Sequence, residues 1–485
     1  MVSIPSQPTT FEEFVQRVRR HRVTDVLDAV AVASVALTNA EFGHGPAPEF
    51  ASSVQPWSLA AVAKAAVVSG NDHRDKVVTV GDLTDMCSLF VNVEDPILST
   101  VPGADHLSSF LVRIAYEQFP SQLSVFEELA RTEALLGDAA GRVEQSVINQ
   151  AFWEAALGCS LVDFVGLGLL LNIGALCNAG YYDPGWLAQP NFRAVTAVLP
   201  RHLIERVAQR HFLASRGDFR RTAMQHRLQD RYLRRFEFNP LVVHPFIEQP
   251  DGRFVSPIPR YALTRATPTG LYYIGLKHGG KAFTDALGSV FEDYVGSHLA
   301  LLAPEQLLHD VEYRRGHRTA DWIVVLPRAV LVVEAKATPL SEAARLGGER
   351  LGPDLQRAPG KAIRQIERTA ELIKSGHAAL GVPRDRPIIG LVATLEPYFQ
   401  CNSDLVWRRD AGAVPVLLAS SRELENLVAI SERGVDDLLL EVTARGELGQ
   451  WNLGRAIAES NLGRNPILDR AWDTYPFRES NAEVA

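Results

Sequence analysis

The stretch that decides the C-terminal half reads Asp321-Trp-Ile-Val-Val-Leu-Pro-Arg-Ala-Val330-Leu-Val-Val-Glu-Ala-Lys336. Two apolar runs flank Pro327-Arg328, a turn signal, and predict a hairpin with strands over 319–326 and 329–337. Apolar residues at every position of Val330–Val333 predict a central strand, covered on both faces. Side chains two apart on a strand share a face, so Glu334 and Lys336 project together and Ala335 points the other way. The hairpin brings Asp321 alongside them. Two carboxylates and one ammonium at the end of apolar strands are costly to bury unless a cation or a partner compensates. The plain alternative is an exposed cross-strand charge pair on a sheet edge, and the apolar run argues against an edge.

Outward from this hairpin, helix and strand signals alternate. A helix is expected over about 281–302, strands near 309–313, a helix over 354–375, strands over 388–395 and 414–418, and a helix from Arg422. The order α-β-β-β-α-β is a mixed sheet flanked by helices. Upstream, Leu241–Ile247 and Arg253–Ile258 flank the turn signal Gln249-Pro-Asp-Gly252, and Leu271-Tyr-Tyr-Ile274 is strand-like. The first 235 residues are mostly helical in pattern, beginning with the capping-box spacing Thr10-Phe-Glu-Glu13. The fold class is therefore α+β or α/β. A mostly helical sensor, docking or regulatory domain covers 1–237, a β-hairpin connector 238–280, and the sheet domain with a C-terminal helical extension 281–485.

Ala320-Asp321, twelve intervening residues and Glu334-Ala-Lys336 resemble the motif of the PD-(D/E)xK phosphodiesterase superfamily, the restriction-endonuclease-like nucleases. The resemblance covers roughly 281–420, and the element order agrees with it. Gly288-Ser-Val-Phe-Glu292 is similar to the helix that gives many of these enzymes an additional acid, and Lys361 and Gln365 resemble a family position carrying Lys or Gln. The family's Pro before the first Asp is replaced by Ala320. The resemblance implies that Asp321, Glu334 and the Ala335 carbonyl bind Mg2+ (or Mn2+), with Glu292 binding metal or positioning water. It implies that Lys336 orients or activates the attacking water and assigns Gln365 a lesser catalytic role. The expected activity is metal-dependent endonucleolytic hydrolysis of nucleic acid, DNA favoured. A helical half joined to such a nuclease also resembles bacterial anti-phage and restriction-type proteins.

Composition bounds this reading. The 485 residues are 46% hydrophobic and 22% charged, which excludes a disordered chain, and a net charge of −8 excludes a wholly basic nucleic-acid coat protein. Only seven of the 49 basic residues are Lys, and five of these fall between Lys277 and Lys374. A compact ammonium at Lys336 has a chemical use that a guanidinium does not share. Arg357, Lys361, Arg364 and Arg368 recur at helical spacing as one basic stripe, with Arg314, Arg315 and Arg318 just before Asp321, and together they would track phosphates. Arg201–Phe236 holds ten Arg against three acids and predicts a basic arm.

Four scattered Cys fit neither a disulfide framework nor a zinc site, and a reducing cytoplasm is expected. The apolar run 29–37, preceded by Asp25 and Asp28, and Leu161–Ala179, which contains Asp163, Asn172 and Asn178, read as core helices, so no membrane partner is expected. A protein partner or a second copy would meet the helical half. Gly275-Leu-Lys-His-Gly-Gly280-Lys281-Ala282 falls one hydroxyl short of a phosphate-binding loop. An NTP-dependent switch built on it, and a catalytically silent nucleic-acid-binding scaffold, are the competing readings.

Overall fold

A computed structural model describes residues 9–95, 106–122, 124–138, 143, 147–409, 412–446 and 453–476. A helical N-terminal region is followed by a mixed β-sheet flanked by helices, a general α+β architecture. The sheet strands are β1 (Gln306–His309), β2 (Trp322–Val325), β3 (Val330–Lys336), β4 (Ile388–Thr394) and β5 (Val416–Ser420). Their order is β5-β4-β3-β2-β1, parallel from β5 to β3 and antiparallel beyond. β3 is central, as the apolar run requires, and Trp322 stands opposite Val333 in the hairpin register.

The period-2 alternation of the strands sorts their side chains into two cores. Val324, Leu331, Val333, Leu391 and Leu417 pack with Val290, Phe291 and Tyr294 of the long helix Pro268–Ala300. Ile323, Val325, Val330, Val332 and Val392 pack with Ala362, Ile366, Ala370 and Ile373 of helix Pro359–Ser375. By the same alternation Asp321, Glu334 and Lys336 lie on the Pro359–Ser375 side. The first core does not stop at the sheet. It continues through Leu161–Cys177 back to Leu129 and forward to Tyr475. A separate N-terminal core holds Phe14, Val26, Leu27, Leu59, Val62 and Met86.

The N-terminal region begins with the expected capping box, Thr10 and Glu13 exchanging bonds at helix Phe11–Val18. Among the described helices, Val23–Glu41 is the one long and apolar enough by itself to cross a membrane, and its Val23, Val26, Leu27 and Val30 are buried in the N-terminal core. The hairpin around Gln249–Gly252 forms, with strands Phe246–Glu248 and Phe254–Val255, and it joins Tyr181–Tyr182 and Leu213–Ala214 in a small four-stranded sheet.

Three expectations need correction. Leu271–Ile274 is helical: the Thr267 side chain caps the helix, Pro268 opens it, and Leu271, Tyr272 and Gly275 face inward at helical spacing. The helix expected at 354–375 is two helices, Leu351–Arg357 and Pro359–Ser375, because Pro359 ends the first and opens the second. The strand expected at 309–313 divides at Asp310, whose φ is +45°, into β1 and a two-stranded ribbon of Glu312–Arg314 and His317–Arg318.

Candidate active site

The carboxyl end of β3 and the start of β2 interlock through their own backbones. The Asp321 N–H donates to Glu334 Oε2 (3.2 Å), and the Ala335 N–H donates to Asp321 Oδ2 (2.8 Å). Lys336 Nζ donates to Glu334 Oε1 (2.7 Å) and to the Ala335 carbonyl (3.1 Å). The three motif side chains and the Ala335 carbonyl thus meet in one place. Glu334 is 1% exposed, whereas Asp321 and Lys336 keep partial access to solvent. Asp321 Oδ1 is the one carboxylate oxygen of the pair without a donor among the described residues.

The electrostatics follow from this crowding. Burial, and then the neighbouring Glu334 charge, push the Asp321 carboxyl up to about 7, while the Ala335 N–H and Lys336 offset only part. Burial also raises Glu334, against the pull of the Lys336 ammonium. Two adjacent carboxylates that resist ionising together are the arrangement a divalent cation relieves.

Helix Pro359–Ser375 supports the pair from its own side. Thr369, 1% exposed, accepts the Ala320 N–H (2.8 Å) and donates to the Gln365 carbonyl (2.9 Å), holding the backbone next to Asp321. Sequence reasoning missed Thr369. Its signal is a hydroxyl on the apolar face between Ile366 and Ala370. Gln365 turns its Oε1 into a buried position with no donor among the described residues.

Glu292 lies across the hairpin on helix Pro268–Ala300, close enough to add to the negative field at both carboxylates. Its own carboxylate is engaged by His309 Nε2 (2.6 Å), and the His309 ring stacks on Trp322 at 4.2 Å. Trp322 Nε1 donates to the Glu292 carbonyl (3.1 Å). Gly296 makes this seat possible, since a Cβ there would stand 2.0 Å from Trp322 Cζ2. His309 is the second residue that the motif pattern did not reveal.

The basic residues divide into committed and available ones. Arg357 precedes the break at Pro359 and faces Asp354 (3.8 Å), so it leaves the stripe. Arg318 is bound to Asp310, and Arg368 lies over the Tyr313 ring at 5.4 Å. Lys361, Arg364, Arg314 and Arg315 are exposed and make no ion pair among the described residues. The expected basic arm is stapled to the molecule: Arg216 pairs with Asp72, Arg234 with Glu12, Arg235 with Glu117, and Arg220 donates to the Val67 carbonyl. Residues 275–279 are helical, so their N–H groups serve the helix and cannot cradle a phosphate.

Among the described residues no group of three or more His, Cys, Asp and Glu is arranged to hold a metal ion. The donors at hand are two carboxylates and a carbonyl, a set that suits Mg2+, which keeps several waters and needs only one or two protein carboxylates. No family model matches the chain, and no curated protein or solved structure matches it.

Proposed function

We propose that the chain is a metal-dependent nuclease that hydrolyses phosphodiester bonds in nucleic acid, DNA favoured, with a restriction-endonuclease-like sheet domain. The observation that carries this reading is the interlocked Asp321–Glu334–Lys336 set, with Asp321 pushed up to about 7, at the end of a central strand. Asp321, Glu334 and the Ala335 carbonyl would hold Mg2+ or Mn2+, which supplies charge stabilisation and a more acidic bound water. Lys336 orients the attacking water and offsets charge developing on phosphorus. Hydrolysis joins the water oxygen to phosphorus, breaks one P–O bond and leaves a proton on the departing oxygen.

Thr369 keeps Asp321 in register, and Gln365 presents a buried acceptor on the same side of the sheet. Lys361, Arg364, Arg314 and Arg315 would meet the backbone phosphates, and a role in anti-phage defence or restriction is the biological setting this chemistry suits. Cleavage of plasmid and linear DNA in the presence of Mg2+ or Mn2+ tests the reading. Activity should vanish in Asp321→Ala and in Lys336→Ala, and wild-type cleavage rates in both variants would refute it.

A further inference from the structure

Beside the N-terminal core the packing leaves a cavity of about 170 Å³. Phe11 and Val15 line it from helix Phe11–Val18, Ala61, Ala65 and Val68 from helix Pro56–Ser69, and Ala223 from helix Arg216–Gln225. Spacings of three and four residues put each set on one face of its helix. Alanine at 61, 65 and 223 leaves open the space that longer side chains would fill. An apolar cavity of about 150 Å³ is enough to hold a benzene molecule.

The rest of the lining is charged, and its charges do not balance. It holds four cations, Lys64, Arg227, Arg234 and Arg235, and two carboxylates, Glu12 and Glu237. Lys64 Nζ donates to the Glu237 carbonyl (3.1 Å) and to Glu237 Oε2 (3.3 Å). Arg235 binds both oxygens of Glu117 (2.9 and 2.7 Å), a residue outside the lining. Arg234 reaches Glu12 (3.0 Å), whose side chain is 55% exposed, so this pair contributes little and opens readily. The Arg234 Nε is buried with no acceptor among the described residues. Arg227 is exposed and pairs with no carboxylate among them; its Nη1 rests 3.7 Å from Met224 Sδ. With Glu117 included, four cations meet three carboxylates, and one positive charge is left over.

We propose that this cavity binds a small monocarboxylate with an apolar body of about the size of benzene. Its carboxylate lies on Arg227 and Arg234, and its body lies between Phe11, Val15 and Ala61. One negative charge on the ligand balances the surplus, and the planar guanidinium matches the two carboxylate oxygens. The carboxylate also gives the Arg234 Nε an acceptor and releases Glu12 to solvent. Guanidinium donors beside apolar walls select for both features: a bare inorganic anion lacks the body, and a neutral aromatic lacks the charge. The site lies in the N-terminal region and does not depend on the nuclease reading.

The test is calorimetric titration of the full chain with phenylacetate, against its neutral counterpart phenylacetamide and potassium chloride at matched ionic strength. Phenylacetate should bind saturably, one molecule per chain, and phenylacetamide at least about tenfold more weakly. Arg227→Gln, a change at an exposed position, should weaken phenylacetate binding about tenfold through loss of one charge-assisted contact. Ala61→Phe, which fills the cavity, should abolish it. Absence of saturable phenylacetate binding beyond chloride in the wild-type chain overturns the proposal. Equal affinity for phenylacetamide also overturns it, as does a folded Ala61→Phe chain that binds like wild type. If Ala61→Phe does not fold, Arg227→Gln decides on its own, and unchanged affinity in that variant overturns the site.

Discussion

Asp321→Asn should make the protein more stable while removing its proposed activity, and the structure sets the size of the effect. The Asp321 carboxyl sits at about 7 against a usual 3.8, so the folded chain holds this proton more tightly than the unfolded chain does. The favourable contribution is complete below the unfolded value and is lost as pH rises through the folded one. At pH 8 the full penalty of holding a carboxylate there is present, about three units or ~4 kcal/mol. Partial solvent access of Asp321 reduces this to about 2–3 kcal/mol.

Asparagine keeps an oxygen for the Ala335 N–H and removes the charge that Glu334 opposes. Without divalent cation at pH 8, the variant should melt about 2–3 °C above wild type, the shift this free energy gives in a chain of this length. At pH 5 the gap should shrink to roughly a third, since the folded wild type is then protonated at this position. Mg2+ or Mn2+ should raise the melting temperature of wild type and leave the variant unmoved. Differential scanning calorimetry at both pH values, in EDTA and then in EDTA-free buffer with Mg2+ or Mn2+, measures all of this. A variant no more stable than wild type at pH 8 would refute the assignment of a strained carboxylate pair.

Four further outcomes follow from the same geometry. Lys336→Arg should keep DNA affinity yet lose about 10²–10⁴-fold in cleavage rate, because the guanidinium cannot occupy the place of the compact ammonium between Glu334 and Ala335; single-turnover cleavage checks it. Lys361→Gln combined with Arg364→Gln should weaken DNA binding evenly across sequences and flatten the log–log salt slope by about 1.8, measured by fluorescence anisotropy. Thr369→Val should cost about 1–3 kcal/mol in urea unfolding, since the Ala320 N–H is left buried without an acceptor. Glu425→Gln should cost about 3–5 kcal/mol, because Arg131 donates to both Glu425 oxygens (2.5 and 2.6 Å) and Tyr294 adds a third bond (2.6 Å); a fall in melting temperature of under 2 °C would count against it.

The Asp321–Lys336 hairpin was readable because its information is local. Alternation within Asp321–Lys336 places the three charged side chains on one face, and Pro327-Arg328 sets the turn between them. The central position of β3 followed from Val330–Val333 being apolar at every position. Leu271–Ile274 misled because aromatic and β-branched residues favour strands, whereas the cap at Thr267 and the buried face of a long helix decide its state. Gly280, with φ +55° and ψ −134°, is non-helical and separates two helical segments at a sharp kink, so the glycine pair marks a break and the second segment starts at about Lys281, as expected. The basic arm misled for a different reason: its counter-charges, Glu12, Asp72 and Glu117, lie more than a hundred residues upstream. His309 and Thr369 join the site through tertiary contacts that no short motif encodes.

The core that runs from Leu129 to Tyr475 has a consequence for the order in which the chain can fold. The sheet's helix Pro268–Ala300 stacks Phe283 on Phe152 at 5.6 Å, and Tyr475 donates its hydroxyl to the Leu129 carbonyl at 2.8 Å. Arg131 waits for Glu425, nearly three hundred residues later. A ribosome must therefore deliver the chain through Tyr475 before these contacts close. Until then, the early helices carry a guanidinium paired only with Glu128 of its own helix and an open apolar seam, the kind of surface that recruits chaperones. A fragment beginning at Lys281 would suffer the converse, with Phe283 and Glu425 deprived of their partners. For this protein, assembly of the site that holds Asp321 waits on segments that emerge far later, those around Glu425 and Tyr475.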